Sequence, residues 1–280
     1  MRASFCVFSM FFAAICFLGQ ASAGKYTWAP RAHGGSATSD EAAKTDAPPP
    51  KIIVIGFVGG YVHRDDAVHS TVQLAARIRE DYPSGAYINT FANHHGEDAH
   101  QAVLHALDAN HDGQLSAAEK HNARIVIYGH SWGASETVAL ADALNRDGIP
   151  VLLTIQVDSV VKRGENDAVI PPNVAEAVNY YQKDGLLHGR STIRAADPTR
   201  THVIGNFRFA YGAKPIACEA AYPWWDRLVM QQHIAIECDP KVWHEMESLI
   251  RATLSPTNRS TPATNAANVT AATASRNPAP

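Results

Sequence analysis

The chain of 280 residues is long enough for one large domain or two small ones, and a hydrophobic content of 46% can supply a substantial core. The formal net charge of -3 at pH 7 gives no indication of a nucleic-acid or polyphosphate partner, because such partners need a basic surface.

The first 23 residues have the pattern of a secretory signal peptide. Met1 and Arg2 supply a charged start, residues 5–19 are apolar, and Ala21-Ser22-Ala23 is a small-x-small cleavage site. The alternative, a retained membrane anchor, would need a longer apolar run. We therefore expect a mature chain that begins near Gly24, is secreted or periplasmic and has no stable membrane span.

Cysteine usage agrees with export. Cys6 and Cys16 leave with the signal peptide, so the mature chain keeps Cys218 and Cys238. An even pair in an exported protein favours a disulfide over two unpaired buried thiols.

Two low-complexity stretches flank a single predicted domain. Residues 24–50 are rich in Ala, Gly, Ser and Thr and end in three prolines, and residues 255–280 are almost all Ala, Thr, Asn, Ser and Pro. Neither has apolar periodicity, so we interpret them as a disordered linker and a disordered tail. The folded domain is therefore expected to span residues 51–254.

Strand and helix patterns alternate along this domain. The predicted strands are residues 52–57, 87–91, 124–128, 151–157 and 202–207. The predicted helices are residues 66–80, 97–107, 132–146, 173–182 and 240–252. This alternation predicts an α/β fold: a mostly parallel sheet with right-handed crossovers and helices on both faces.

An EF-hand-type calcium loop follows the second predicted helix, at residues 108–119. Oxygen-bearing side chains stand at loop positions 1, 3, 5, 9 and 12, and the glycine at position 6 permits the sharp turn. The predicted ligands are Asp108, Asn110, Asp112, the carbonyl of Gln114, Ser116 and Glu119. Calcium is favoured over an Asp/Asn-rich turn without an ion. Because the exit helix has room for only about two turns, we expect a structural ion and not a calcium sensor.

Residues 125–133 change from a β-branched strand into Gly129-His130-Ser131-Trp132-Gly133, and an apolar pattern at helical spacing follows. A sharp strand-to-helix turn strains its central residue, and glycines beside it prevent collisions. Ser131 would stand at the carboxyl edge of the sheet beside the positive end of a helix, which favours a nucleophile over an ordinary tight turn. The stretch resembles the nucleophile elbow of the α/β-hydrolase superfamily. The sheet is predicted to be reduced, since no strands are found for the superfamily's opening antiparallel hairpin.

The resemblance implies an oxyanion hole and a catalytic acid. In this superfamily, the residue after the nucleophile and the loop after the first strand donate backbone N–H groups, which points to Trp132 and to either Phe57 or Val58. The superfamily's chain order places the acid after the serine. Asp158 follows a strong predicted strand, so its side chain should lie at the carboxyl edge of the sheet. Glu165 and Asp167, on the next polar loop, remain alternatives.

The base must come after the acid, and four histidines do. His202 lies in a predicted strand and His244 in the last predicted helix, while His188 carries no signal of its own. His233 lies in a predicted loop just before the last helix, between Cys218 and Cys238, and this placement resembles the superfamily pattern. His233 is therefore the predicted base.

These residues predict a serine hydrolase that cleaves a carboxylic ester or thioester through an acyl-enzyme, on a small-molecule or lipid ester substrate. Trp224 and Trp225 could line an acyl pocket, or pack in a loop or the core. The alternative function is a non-catalytic calcium-binding or adhesion module on a hydrolase scaffold. The sequence gives no indication of oligomeric state.

Overall fold

A computed structural model describes residues 51–212, 218, 222, 227 and 229–255. The predicted signal peptide, the linker at residues 24–50, the tail after residue 255, and Trp224 and Trp225 lie outside the described residues.

The central sheet has six strands, and all of its pairings are parallel. The strands are β1 (Lys51–Val58), β2 (Ala86–Ala92), β3 (Ala123–His130), β4 (Val151–Val157), β6 (Val174–Tyr181) and β8 (His202–Arg208). Their order across the sheet is β2-β1-β3-β4-β6-β8. A separate parallel pair consists of β5 (Val169–Ile170) and β7 (Arg194–Ala195). Strand β2 is added on one side of β1, and β3 and the later strands are added on the other side. In open parallel sheets such a switch point, here between β1 and β3, opens a crevice at the carboxyl ends of the strands.

Helices cover both faces of this sheet. They are α1 (Ser70–Asp81), α2 (Gly96–Leu107), α3 (Ala117–His121), α4 (Trp132–Arg146), α5 (Gln231–Glu237) and α6 (Pro240–Leu254). Alternate residues of a strand point to opposite faces, so Ile53, Ile55 and Phe57 of β1 pack with α2 and α4. Val54 packs on the other face, with α1, α5 and α6. The predicted α/β fold with a reduced, parallel sheet is confirmed. Within the described part of the chain, no helix is long and apolar enough to cross a membrane.

Two element predictions were wrong. Residues 173–182 form strand β6 and not a helix, because Val174, Ala177, Val178 and Tyr180 are buried between β4 and β8. Burial on both faces of the sheet outweighs the helix preference of the alanines and Glu176. The predicted loop around residue 233 is helix α5, which is too short to show a helical period in the sequence.

Candidate active site

Ser131 occupies a strained turn between β3 and α4. Its backbone has φ 57° and ψ -125°, a conformation that non-glycine residues rarely adopt. A Cβ atom on Gly129 would lie 2.3 Å from the carbonyl oxygen of Gly133, and one on Gly133 would lie 2.2 Å from the carbonyl oxygen of Phe57. Both flanking positions therefore require glycine, and the turn holds the serine at the carboxyl edge of the sheet.

Three residues predicted as catalytic lie in one chain of hydrogen bonds. The Ser131 hydroxyl is 2.8 Å from Nε2 of His233, and Nδ1 of His233 is 2.7 Å from Oδ2 of Asp158. All three residues are at least nine-tenths buried. With the Nδ1–H tautomer, the imidazole donates to Asp158 and accepts the serine proton at Nε2. The structure thus places a weak nucleophile, a base and a carboxylate in the order that serine catalysis requires, while their catalytic roles stay a prediction.

Asp158 is fully buried and is held by donors from three directions. Besides His233, its carboxylate accepts from the backbone N–H of Gln182 (3.1 Å), the side-chain amide of Gln182 (2.8 Å) and the backbone N–H of Gly189 (2.7 Å). A Cβ atom on Gly189 would lie 2.2 Å from the Asp158 carbonyl carbon, so this donor can approach only as glycine. These hydrogen bonds replace those to water that the carboxylate loses on burial.

The residues considered as alternative acids have hydrogen-bond partners other than His233, and the alternative bases are exposed to solvent. Glu165 accepts from the Ser135 hydroxyl (2.6 Å), and Asp167 accepts from the Ser159 hydroxyl (2.5 Å) and is paired with Arg190. The histidines considered as alternative bases are exposed: His188, His202 and His244.

The predicted oxyanion donors lie on both sides of Ser131. Trp132 is the first residue of α4, where backbone N–H groups have no partner within the helix. Phe57 and Val58 end β1 and are buried. Gly59 was not predicted as part of the site, although a Cβ atom on it would lie 2.9 Å from the Ser131 Cβ. The Gly59-Gly60 pair is visible in the sequence, but only the alignment of β1 beside β3 brings Gly59 against the serine.

A second buried imidazole–carboxylate pair lies next to the first, and sequence reasoning missed it. Nδ1 of His69 is 2.6 Å from Oε1 of Glu237. Burial lowers the pKa of His69, but the hydrogen bond and negative charge of Glu237, with Asp66 nearby, outweigh it and raise the pKa overall. His130 stands between this pair and His233. Burial, followed by the nearby His233 and His69, lowers the pKa of His130 well below its ordinary value, which favours the neutral imidazole.

The predicted calcium loop folds around its own acidic side chains. Asp108 accepts from the backbone N–H groups of Asp112 (3.2 Å) and Gly113 (2.9 Å), and Gly113 has φ 78°, as its place in the motif requires. Glu119 accepts from the backbone N–H groups of Ala109 and Ser116, both at 2.9 Å, and so joins the two ends of the loop.

The described residues do not form a group of three or more His, Cys, Asp or Glu side chains that could hold a metal ion. The acidic members of the predicted calcium set, Asp108, Asp112 and Glu119, are thus not grouped in this way, and its other members are Asn110, the Gln114 carbonyl and Ser116. Oxygen donors of mixed type suit calcium, so the residue types fit the ion, and calcium binding stays a prediction.

A disulfide joins Cys218 to Cys238, as the cysteine count predicts, with Cα atoms 5.3 Å apart. Cys238 is the residue that ends α5, directly after Glu237. The link therefore attaches the carboxyl end of the helix that carries His233 to a point 20 residues earlier in the chain.

No family model and no curated protein matches this chain. Among solved structures it is similar to an arylesterase at 17% identity and a TM-score of 0.27, over 39% of this chain and 37% of that one. It is similar to a cutinase-like protein from Cryptococcus sp. at 13% identity and a TM-score of 0.39, over 74% and 96%. A thermostable esterase from Pseudomonas putida ECU1011 matches at 10% identity and a TM-score of 0.40, over 75% and 77%. Similarities this distant carry no argument about function.

Proposed function

We propose that this protein is a secreted serine hydrolase of the α/β-hydrolase type that cleaves a carboxylic ester or thioester. One observation carries the proposal: the unbroken hydrogen-bond chain from the Ser131 hydroxyl through His233 to Asp158. The strained turn at Ser131 supports it, because strain of this kind persists where the surrounding structure enforces it and is concentrated at functional sites.

The reaction follows from this chain of atoms. Ser131 Oγ attacks the substrate carbonyl carbon while His233 Nε2 takes the hydroxyl proton, and Asp158 stabilises the imidazolium through its bond to Nδ1–H. The tetrahedral intermediate collapses as the bond to the leaving alcohol or thiol breaks, and His233 returns the proton to that group. Water then attacks the acyl-enzyme by the same route, which releases the acid and restores the serine.

The developing oxyanion needs donors at the switch point between β1 and β3. The backbone N–H of Trp132 at the start of α4 is one candidate, and Phe57 or Val58 at the end of β1 is the second. The α4 dipole would add to this, since Ser131 caps its positive end. The predicted signal peptide and the disulfide support export, and the substrate is a small-molecule or lipid ester.

A fluorophosphonate probe tests this function directly. Such a probe phosphonylates a serine only when the hydroxyl is activated, so we expect one label per folded molecule on Ser131, found by mass spectrometry. Ser131→Ala should take up none, and Ser135→Ala, four residues along α4, should label as the wild type does. A folded wild-type protein that stays unlabelled would favour the alternative, a non-catalytic calcium-binding or adhesion module.

We further propose that a structural calcium ion braces the connection to Ser131. The predicted loop ends twelve residues before the serine. Both helices that flank the loop contact Asp147, the residue that follows α4. Lys120 of α3 donates to the Asp147 carbonyl (2.8 Å), and His100 of α2 lies 2.5 Å from the Asp147 carboxylate. An ion that fixes the loop would therefore also fix the helix that follows the nucleophile.

Calcium is expected to raise the melting temperature of the wild-type protein. At a free concentration of about 100 times its Kd, an ion that binds only the folded state adds about 2.7 kcal/mol to the free energy of unfolding. For a domain of this size, that raises the melting temperature by roughly 5–10 °C. Glu119→Ala should lose most of this shift, because it removes two ligand oxygens at once. The measurement is calorimetric melting with chelator and with millimolar calcium.

The comparison must separate binding from helix capping, since Glu119 also caps α3. The readout is therefore the difference between the melts with and without calcium, and the exposed Glu80→Ala serves as a matched control that keeps the full shift. An unchanged wild-type melt, together with no ion by elemental analysis, would refute the calcium site.

A further inference from the structure

Helix α5 carries the proposed base but cannot hold its own position. It has only seven residues, and no side chain caps its start. Helices this short are not stable alone in water, so contacts outside the helix decide where it lies. What fixes α5 therefore also fixes the distance from His233 Nε2 to the Ser131 hydroxyl.

Glu237 lies one helical turn after His233, on the same side of α5. Its side chain is only 3% exposed, and its partner His69 is only 7% exposed. His69 is the residue at which α1 begins, just after the loop that follows β1. The 2.6 Å bond between them thus joins α5 to the start of α1 across 168 residues of sequence.

The sheet order shows what this bond does. β3 lies between β1 and β4. Two buried hydrogen bonds, here called ties, connect α5 to the rest of the domain. The first joins His233 to Asp158, which directly follows β4 in the chain, and the second joins Glu237 to His69, which lies in the chain after β1. Helix α5 therefore crosses above the end of β3, where Ser131 stands, with one buried tie on each side.

His130 fills the space between the two ties. Its ring lies 4.7 Å from the His233 ring at an angle of 31°, and its Nδ1 is 3.9 Å from Oε2 of Glu237. Among the described residues, Oε2 of Glu237 and Nε2 of His130 have no hydrogen-bond partner, so the bond of Glu237 to His69 rests on Oε1 alone. Loss of the Glu237 bond would leave the carboxyl end of α5 to the Cys238 disulfide and to packing, and so would let the helix shift relative to the His130 ring that packs against His233.

We infer that Glu237 and His69 are positioning residues for the proposed reaction: their buried bond is the second anchor that holds His233 over Ser131. This inference rests on the proposed function, since it assigns the bond a purpose only if His233 is the base. Neither residue touches the reacting atoms. A rotation or slide of α5 would move Nε2 away from the hydroxyl while leaving the substrate-binding surfaces of the other loops in place.

The test compares removal of the bond with its conservative replacement. Glu237→Ala and His69→Ala are expected to lower kcat for an activated ester by up to about 100-fold, the cost of misplacing a catalytic group by roughly 1 Å, with KM within about threefold. Glu237→Gln keeps an acceptor and His69→Asn keeps a donor near the Nδ1 position, so both should restore kcat to within about threefold of wild type. Glu237→Met fills a similar volume without an acceptor and should lower kcat as Glu237→Ala does. The test therefore does not depend on whether Glu237→Ala folds.

A second ion pair supplies the control. Arg77 of α1 is bound to Glu247 of α6 at 2.6 Å, which ties the same helix α1 to a neighbour other than α5. Glu247→Ala should cost stability but leave kcat near the wild-type value. Equal losses of kcat in Glu237→Ala and Glu247→Ala, or an unchanged kcat in both Glu237→Ala and His69→Ala, would overturn the inference.

Backbone hydrogen exchange of α5 is measured on the same proteins because it does not depend on activity. Faster exchange in α5 is expected in Glu237→Ala and Glu237→Met, and not in Glu247→Ala. If the wild-type protein hydrolyses no ester and takes no probe, the proposed function fails, whatever the exchange shows. If the wild type is active and the Glu237 variants change neither kcat nor exchange, only the positioning inference fails.

Discussion

Ser131→Ala and His233→Ala are each expected to lower kcat/KM for an activated ester by about 10³- to 10⁶-fold, with the fold intact. The 2.8 Å contact between Oγ and Nε2 is the reason: without the imidazole the hydroxyl keeps its proton, and without the hydroxyl the imidazole has nothing to activate. Because the two groups act as one unit, the double variant should lose little more than either single variant. Initial rates with a chromogenic ester, corrected for folded protein, measure all three.

The control for these variants is another histidine of the same domain. His202 lies at the start of β8, with a side chain that is 72% exposed and 3.7 Å from Glu176. His202→Ala should leave the rate within about twofold of wild type, as surface substitutions usually do. Activity that persists in His233→Ala, but is lost in His202→Ala or His244→Ala, would assign the base elsewhere.

The sequence predicts the elements around Ser131 well because their signals are local. Strand β4 and helix α4 have the same bounds in the sequence and in the structure, since a continuous apolar run and a glycine-flanked turn define them without help from the rest of the fold. The prediction for residues 173–182, which contain strand β6, was wrong for the opposite reason. Its alanines and glutamate favour a helix, and only its place between two other strands makes it extended.

The residues of the candidate site also divide into those with a local sequence signal and those that only the rest of the fold brings into place. Ser131 and Asp158 directly follow strong strands, and parallel strands deliver such residues to one edge, so their meeting could be predicted. His233 could be predicted from chain order together with its place just before the last helix, but its own place on a helix could not. The pair of His69 and Glu237 leaves no trace in the sequence, because its members are 168 residues apart and meet only where α5 crosses the end of β3.

Asp158→Asn is expected to lower kcat by about 10⁴-fold while KM changes little. The carboxylate accepts the Nδ1–H bond of His233 at 2.7 Å and so keeps the proton off Nε2, where the serine proton must go. An asparagine amide that turns its NH₂ toward Nδ1 would select the other tautomer. It would also set an N–H group against the side-chain amide of Gln182, which donates to the same Asp158 oxygen as His233 does, and so leave that donor without its acceptor.

Asp167→Asn is the matched control, since Asp167 is also fully buried and lies only nine positions further along the chain. It is bound to Ser159 and Arg190, so its loss should lower stability and leave the rate per folded molecule near wild type. Rates are measured beside thermal melts of each variant, and Glu165→Gln completes the set. If Asp167→Asn or Glu165→Gln loses activity while Asp158→Asn keeps it, the acid is not Asp158, and the polar loop after β4 supplies it instead.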